Sequence, residues 1–170
     1  YRIDKKEKQP QNLLLYAYGA YGNTIDPYFS STRLSLLDRG FIYAIAHVRG
    51  GQIYGRPSYD DGKMLNKKNT FYDFIDAGKY LIEEQYTDSE KLFAQGGSAG
   101  GLLIGAILNM EPSIWKGAIA AVPFVDAVTT MADPSIPLTS GEWDEWGDPR
   151  IKKYYDYMLS YSPYDQIKNI

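Results

Sequence analysis

The sequence of 170 residues contains no cysteine and a single histidine, His47. Without cysteine the chain has no disulfide and no thiolate metal site, which fits a reducing compartment, and we expect a cytoplasmic protein. The single histidine leaves one candidate for any chemistry that needs an imidazole base. No apolar run approaches the roughly 20 residues that a membrane span requires, so no membrane partner is expected.

Net charge is also small, because 18 Lys and Arg stand against 21 Asp and Glu. A chain without a basic surface is not expected to bind nucleic acid. Hydrophobic residues make up 44% of the sequence, which is enough for the core of one folded domain. The chain starts with Tyr1 and lacks an apolar leader, so we expect that it begins inside a longer protein.

Short apolar runs alternate with segments of helical periodicity. The runs predict buried strands at residues 13–18, 41–48, 91–95 and 117–122. The periodic segments predict helices at residues 31–40, 70–82 and 102–111, and a mixture of loop and helix after residue 124. This alternation predicts an α/β fold, with a mostly parallel sheet and helices on both faces.

Two local features refine this prediction. Thr70 and Asp73 resemble a capping box at the start of the second helix, whereas residues 51–68 are polar and are expected to be irregular. In a parallel sheet, functional groups gather where the strands end. We therefore expect the site among Tyr18, Ser98 and the loops that follow Val48 and Val122.

Residues 96–100 read Gly-Gly-Ser-Ala-Gly and match the pattern G-x-S-x-G between a predicted strand and an apolar helix. In that context the pattern indicates a nucleophile elbow, with Ser98 on a strained turn and glycines where a Cβ would clash. The helix that follows supplies N–H groups for an oxyanion. The alternative is a turn whose serine only caps the helix. A phosphate loop is not indicated, because neither G-x-G-x-x-G nor a following Lys-Ser/Thr is present.

A serine nucleophile needs a base, and His47 is poorly placed for that role. In α/β-hydrolases the nucleophile comes first, then the acid and then the histidine, whereas His47 precedes Ser98. We interpret His47 as a residue that braces a loop, and Asp126 as a loop-capping carboxylate rather than the triad acid. The triad Asp and His are expected beyond Ile170.

Seven motifs occur in order along the chain: YAYGAYG at 16–22, RLSLLDRG at 33–40, HVRGG at 47–51, GGSAGGLL at 96–103, VPFVD at 122–126, IPLTSGE at 136–142 and YSPYD at 161–165. Together they resemble the catalytic domain of the prolyl oligopeptidase family, and VPFVD and IPLTSGE point to its oligopeptidase B (protease II) branch. The resemblance implies an α/β-hydrolase fold in which residues 1–170 form a partial, nucleophile-bearing catalytic domain. It also implies a β-propeller and a C-terminal part of the hydrolase domain, both outside these residues.

The resemblance implies a role for each residue that matches a family motif. Ser98 corresponds to the nucleophile, and the Ala99 N–H and the Tyr18 hydroxyl correspond to the oxyanion donors. Glu142 and Asp144 correspond to carboxylates that bind a basic P1 residue, although glutamate is usual at position 144. Without the family match, the stretch from Glu142 to Glu145 would be interpreted as a solvated acidic segment, and Tyr18 as a tyrosine packed at the sheet edge.

Further contacts with substrate are implied for the loop after the first strand. Asp26 matches an acidic position that favours a basic P2 residue, but its companion is Tyr28 and not an acid, which puts a dibasic preference in doubt. Tyr21, in the same motif as Tyr18, is assigned to substrate binding.

The function implied is a serine oligopeptidase that cleaves short peptides after Arg or Lys, with no cofactor and no metal. A prolyl-specific oligopeptidase is one alternative. An esterase is another, although Tyr18-Gly19 stands where many esterases have a His-Gly-Gly-Gly loop. An inactive interaction module that lacks the triad Asp and His is the third.

Overall fold

Four short apolar segments form one parallel sheet. The computed structural model describes residues 9–167. The strands are β1 (Leu13–Tyr16), β2 (Ile42–Ile45), β3 (Leu92–Gly97) and β4 (Gly117–Ala121). They pair in the order β2-β1-β3-β4, and every pair is parallel. The predicted α/β architecture is confirmed. In β1, β2 and β4 the paired segment is shorter than the apolar run, and the rest of the run lies in loops.

Helices connect the strands and follow the last of them. They are α1 (Ser31–Leu37), α2 (Arg56–Asp60), α3 (Lys68–Glu83), α4 (Ala99–Met110), α5 (Ala127–Ala132), α6 (Thr139–Trp146) and α7 (Lys152–Leu159). Short 3₁₀ turns occupy Met64–Asn66 and Pro112–Ile114. The predicted helices correspond to α1, α3 and α4. Between residues 9 and 167, no helix is both long enough and apolar enough to cross a bilayer.

The segment before α3 and the start of that helix differ from the prediction. Residues 51–68 are not irregular, since they contain α2 and a 3₁₀ turn. The capping box was wrong, because α3 begins at Lys68 and so already contains Thr70 and Asp73. The Thr70 hydroxyl donates to the Arg49 carbonyl at 2.8 Å, and Asp73 forms an ion pair with Arg49 at 2.6 Å. Both side chains therefore fix the loop after β2 instead of the helix end.

The core lies between one face of the sheet and the helices α3 and α4. Leu13 and Leu15 point to this face from β1, because alternate residues of a strand share a face. The side chains that meet them there are almost completely buried, and include Phe71, Phe74, Leu102, Leu103, Ile104 and Ile107. Burying each such side chain contributes about 1.5–3 kcal/mol.

The opposite face of the sheet is covered only in part. Right-handed crossovers place α1 on this side, since the chain moves from β1 to β2 in the opposite direction to its later connections. The Arg33 guanidinium from α1 lies between two aromatic rings, 4.7 Å from the centre of Tyr28 and 4.8 Å from that of Tyr43. The edge strand β4 remains open, and Ile119 is 52% exposed.

The fold brings α4 unusually close to the ends of β1 and β3. A Cβ on Gly100 would lie 2.8 Å from the carbonyl oxygen of Ala17, at the end of β1. A Cβ on Gly96 would collide with the carbonyl oxygen of Gly100. Glycine is needed at both positions because the obstructing atoms belong to the backbone and cannot rotate away.

Replacing Gly96 with Ala therefore tests how tightly the turn is packed. We expect Gly96→Ala to destabilise the protein by about 1–3 kcal/mol, the usual cost of overpacking. The control is Gly141→Ala on α6, where no heavy atom lies within 4 Å of the added Cβ. There we expect a change of less than about 1 kcal/mol, because only helix propensity is altered. Urea unfolding followed by tryptophan fluorescence measures both, and equal effects would contradict this packing.

Candidate active site

Ser98 occupies a strained turn between β3 and α4. Its backbone has φ 54° and ψ −115°, a conformation that costs a residue other than glycine about 1–3 kcal/mol. Backbone hydrogen bonds hold it there, including one from the Leu102 N–H to the Ser98 carbonyl at 3.2 Å. The Ser98 N–H donates to the Ala121 carbonyl at 2.9 Å, and the Ser98 carbonyl accepts from the N–H groups of Gly101 at 2.9 Å and Phe124 at 3.1 Å. The serine itself is exposed, at the edge of the sheet where the strands end.

The side chain of Ser98 does not act as a helix cap. It stands at the N-cap position of α4 but makes no capping hydrogen bond. Instead, the Ser98 hydroxyl lies close enough to the Tyr18 hydroxyl to influence its ionisation. Ala99 follows as the first residue of α4, where backbone N–H groups have no partner within the helix. The turn thus places a hydroxyl, a phenol and the positive end of a helix dipole side by side.

Tyr18 is half buried at the end of β1, and its hydroxyl faces the serine. Burial raises the pKa of Tyr18 above its ordinary value of 10.0, although the nearby Ser98 hydroxyl opposes the shift. The phenol therefore keeps its proton at neutral pH and can donate a hydrogen bond. The Tyr18 hydroxyl thus lies near Ser98, where the resemblance implies an oxyanion donor.

His47 and Asp126 lie in the segments that follow β2 and β4. His47 lines a small cavity together with Tyr18 and Val48. It follows β2, which β1 separates from β3, so about 10 Å divides the two strand ends. Asp126 caps α5, and its carboxylate accepts the N–H of Thr129 at 3.1 Å. The interpretation of Asp126 as a capping residue is confirmed.

Glu142 on α6 meets the loop that follows β1. Its Oε2 accepts the Tyr21 hydroxyl at 2.6 Å and the Trp146 Nε1–H at 3.3 Å. Tyr21 and Glu142 are 121 residues apart in sequence, and the structure brings these two predicted substrate-binding residues together.

Asp144 does not join this group. Residues two positions apart on a helix point to different sides, and Asp144 is exposed. Glu145, three positions after Glu142, is 4% exposed and joins it instead. The Glu145 carboxylate accepts the Tyr21 N–H at 2.9 Å and the Tyr59 hydroxyl at 2.6 Å. The alternative of a solvated acidic segment is therefore wrong for Glu145, and the i, i+3 spacing was the signal that could have found it.

Lys67 is a second buried charge that the sequence reasoning missed. Its Nζ donates to the carbonyl oxygens of Gly19 at 2.5 Å and Gly62 at 3.2 Å, and it lies 5.1 Å from the ring centre of Trp146. Burial lowers the pKa of Lys67 to about 8, while the negative charge of Glu145 acts in the other direction. Lys67 and Glu145 thus both bind backbone groups of the loop that follows β1.

Asp26 lies in a neighbouring cleft rather than beside Ser98. The open cleft has a volume of about 460 Å³ and is lined by Asp26, Tyr28 and Arg33, among others. Thr24 belongs both to this cleft and to the small cavity beside Tyr18, so the two are adjacent. The structure thus separates Asp26 from the cluster that contains Glu142.

Comparison with known protein families identifies the family of this chain. The profile of the prolyl oligopeptidase family matches residues 27–169. The chain belongs to the prolyl oligopeptidase family.

Several peptidases are similar to this chain over nearly its whole length. A dipeptidyl aminopeptidase BI of Pseudoxanthomonas mexicana is 57% identical over 168 residues, and a protease 2 of Moraxella lacunata is 57% identical over 159. They match 99% and 94% of this chain, which spans 23% of each relative. The structure of oligopeptidase B from Leishmania major is 56% identical with a TM-score of 0.94, over 99% of this chain and 23% of that one. The α/β-hydrolase fold and the oligopeptidase B resemblance are confirmed.

The buried lysine of this family member predicts a pH-dependent stability. Because the folded-state pKa of about 8 lies below the ordinary 10.5, charging Lys67 costs folding free energy. That cost is complete below about pH 8 and is relieved as the pH rises to 10.5. Lys67→Met removes it. The stability of the wild type relative to Lys67→Met should therefore increase by on the order of 3 kcal/mol across this window.

Urea unfolding of the wild type and Lys67→Met at several pH values measures this difference. Tyrosine ionisation destabilises both proteins in the same way and cancels in the comparison. A difference that stays constant from pH 7 to 10.5 would contradict a buried, charge-costly lysine.

Proposed function

We propose that this chain is the nucleophile-bearing part of a serine oligopeptidase that hydrolyses short peptides after Arg or Lys. One observation carries the proposal: an exposed Ser98 hydroxyl lies on a turn of positive φ at the start of α4, beside the Tyr18 phenol. That arrangement suits acyl transfer, because an oxyanion formed at Ser98 would meet donors that are already in place. The names of the relatives, an aminopeptidase, a protease and an oligopeptidase, support peptide substrates.

In the proposed reaction, Ser98 Oγ attacks the carbonyl carbon of the scissile peptide bond while a histidine takes the Oγ proton. The carbonyl oxygen becomes an oxyanion, which the Ala99 N–H and the Tyr18 hydroxyl stabilise. The C–N bond then breaks, and the amine leaves with the proton from the histidine. Water hydrolyses the resulting ester by the same steps and restores the serine.

We place the histidine and its aspartate partner in further parts of a longer chain. The chain spans 23% of the length of its relatives. Its own His47 follows β2, which β1 separates from the strand that leads to Ser98. The uncovered side of β4, where Ile119 is 52% and Val122 is 85% exposed, offers apolar surface for such a partner. A preceding β-propeller and a cytoplasmic location stay predictions.

Glu142 is the proposed partner of the basic P1 side chain. Both protein donors go to its Oε2, which leaves Oε1 open to an incoming guanidinium or ammonium. Tyr21 forms one side of this subsite. Asp144 contributes at most a screened, long-range attraction because it is exposed. Asp26, in the adjacent cleft, is the proposed contact for a P2 residue.

The test uses the full-length protein and blocked peptides that differ only at P1, with Arg, Lys, citrulline or Pro. We expect turnover after Arg and Lys, and much slower turnover after citrulline, which has the shape of Arg without its charge. Preference for Pro, or the absence of any turnover, would overturn the proposal. Release of dipeptides from free N-termini, the activity named for the Pseudoxanthomonas relative, is measured in parallel with unblocked peptides.

Removing the Tyr18 hydroxyl should slow the chemical step. We expect Tyr18→Phe to lower kcat by about 10²–10³, the usual cost of losing one oxyanion donor, with little change in KM. Burial raises the pKa of Tyr18 above its ordinary value, so the donor stays protonated and the loss should be constant from pH 7 to about pH 9. Ser98→Ala is the control and should abolish labelling by a fluorophosphonate probe. A Tyr18→Phe enzyme with wild-type kcat would contradict the assignment.

Neutralising Glu142 and Asp144 on α6, one at a time, should show which carboxylate binds the P1 cation. We expect Glu142→Gln to lower kcat/KM about 100-fold for a P1 Arg peptide and hardly at all for citrulline, because the charge that pairs with the P1 cation is lost. Asp144→Asn should cost less than about tenfold, since an exposed carboxylate is screened by solvent. Comparable losses in the two variants would show that exposure does not distinguish the two carboxylates.

A further inference from the structure

The loop that follows β1 contains a tyrosine in a conformation that tyrosine avoids. Tyr21 has φ 57°, and an L-residue with a bulky side chain rarely adopts a positive φ. Its ring packs edge-on against Trp146, with centres 5.8 Å apart, and its hydroxyl reaches Glu142. The direction of the Tyr21 side chain therefore depends on whatever holds its backbone.

Glu145 holds that backbone. One carboxylate oxygen accepts the Tyr21 N–H at 2.9 Å and the other accepts the Tyr59 hydroxyl at 2.6 Å. At 4% exposure, a carboxylate is costly to bury unless its oxygens are satisfied, so these bonds fix it in place. The positive charge of Lys67 lies close enough to interact with it electrostatically.

A continuous chain of contacts thus runs from the buried carboxylate to the exposed one. Glu145 fixes the Tyr21 backbone, and the Tyr21 hydroxyl donates to Glu142 at 2.6 Å. The Trp146 Nε1–H donates to the same Glu142 oxygen, and Trp146 is held by the packing of its buried ring. With Oε2 held from two sides, the free oxygen of Glu142 has a defined position.

We propose that Glu145 is a positioning residue for basic P1 specificity, which acts through Tyr21 to hold the Glu142 carboxylate in place for the substrate cation. This inference rests on the proposed function, in which Glu142 binds P1. Glu145 itself does not touch the substrate. Its effect should therefore fall on the discrimination between charged and neutral P1 residues and not on the reactivity of Ser98.

The experiment measures two quantities in the full-length protein carrying Glu145→Gln. The first is the ratio of kcat/KM for P1 Arg to that for P1 citrulline. The second is the rate at which a small alkyl fluorophosphonate without a P1 cation labels Ser98. Displacing a positioned group by about 1 Å can cost up to 10²-fold, so we expect the ratio to fall at least about tenfold. The labelling rate should fall far less. Glu83→Gln, the same change at an exposed position, is the matched control.

A double-mutant cycle tests whether Tyr21 is the intermediary. Tyr21→Phe removes the hydroxyl that reaches Glu142 and should lower the same ratio. In that background, Glu145→Gln should lower the ratio no further, because the connection is already broken. Additive losses would overturn the route through Tyr21.

Other outcomes are decisive as well. An unchanged ratio in Glu145→Gln, or a ratio and a labelling rate that fall together, would overturn the positioning role. If Glu145→Gln does not fold, Tyr59→Phe takes its place, since Tyr59 bonds to Glu145 alone among these groups. A fall of about threefold or more in its ratio supports the role, and no fall overturns it. A wild type that cleaves citrulline and Arg peptides equally would instead refute the proposed function.

Discussion

The turn at Ser98 is held by a close approach of α4 to the ends of β1 and β3, and the geometry of the site follows from that approach. Glycines at 96 and 100 allow backbone atoms to meet where a Cβ would collide. A hydrogen bond from the Ser98 N–H to the Ala121 carbonyl and one from the Phe124 N–H to the Ser98 carbonyl tie the turn to the end of β4 as well. A strained serine is stable only because these neighbours determine its conformation. The same approach brings Tyr18 against Gly100 and near the serine, so the strained turn and the position of Tyr18 have one cause.

Two buried charged residues, Lys67 and Glu145, hold different parts of the loop that follows β1. On one side, Lys67 holds the Gly19 carbonyl next to Tyr18. On the other, Glu145 holds Tyr21, which reaches Glu142. Burying a lone charge of either sign is costly, and here each buried charge partly offsets the cost of the other. Tyr18 and Glu142 thus lie beside the same loop, and a different buried charge fixes the backbone next to each of them.

Sequence patterns predicted the turn at Ser98 well, because the residues that form it are close together in sequence. G-x-S-x-G between a strand and an apolar helix located Ser98, and the parallel sheet placed Tyr18 at the same edge. The capping box at Thr70 failed because Arg49, more than 20 residues away, provides the partners. Glu145 and Lys67 were missed for the same reason, since their partners lie 124 and 48 residues away in sequence. Asp144 shows what a family position leaves open, since the position is occupied by an acid whose side chain is exposed to solvent.

The most direct test of the account is a crystal structure of the full-length protein inactivated by a peptidyl fluorophosphonate with Arg at P1. The account predicts a covalent bond from Ser98 Oγ to phosphorus and a phosphoryl oxygen within hydrogen-bond distance of the Ala99 N–H and the Tyr18 hydroxyl. It also predicts a guanidinium at the open oxygen of Glu142. An adduct on another residue, or an arginine side chain directed away from Glu142, would contradict it.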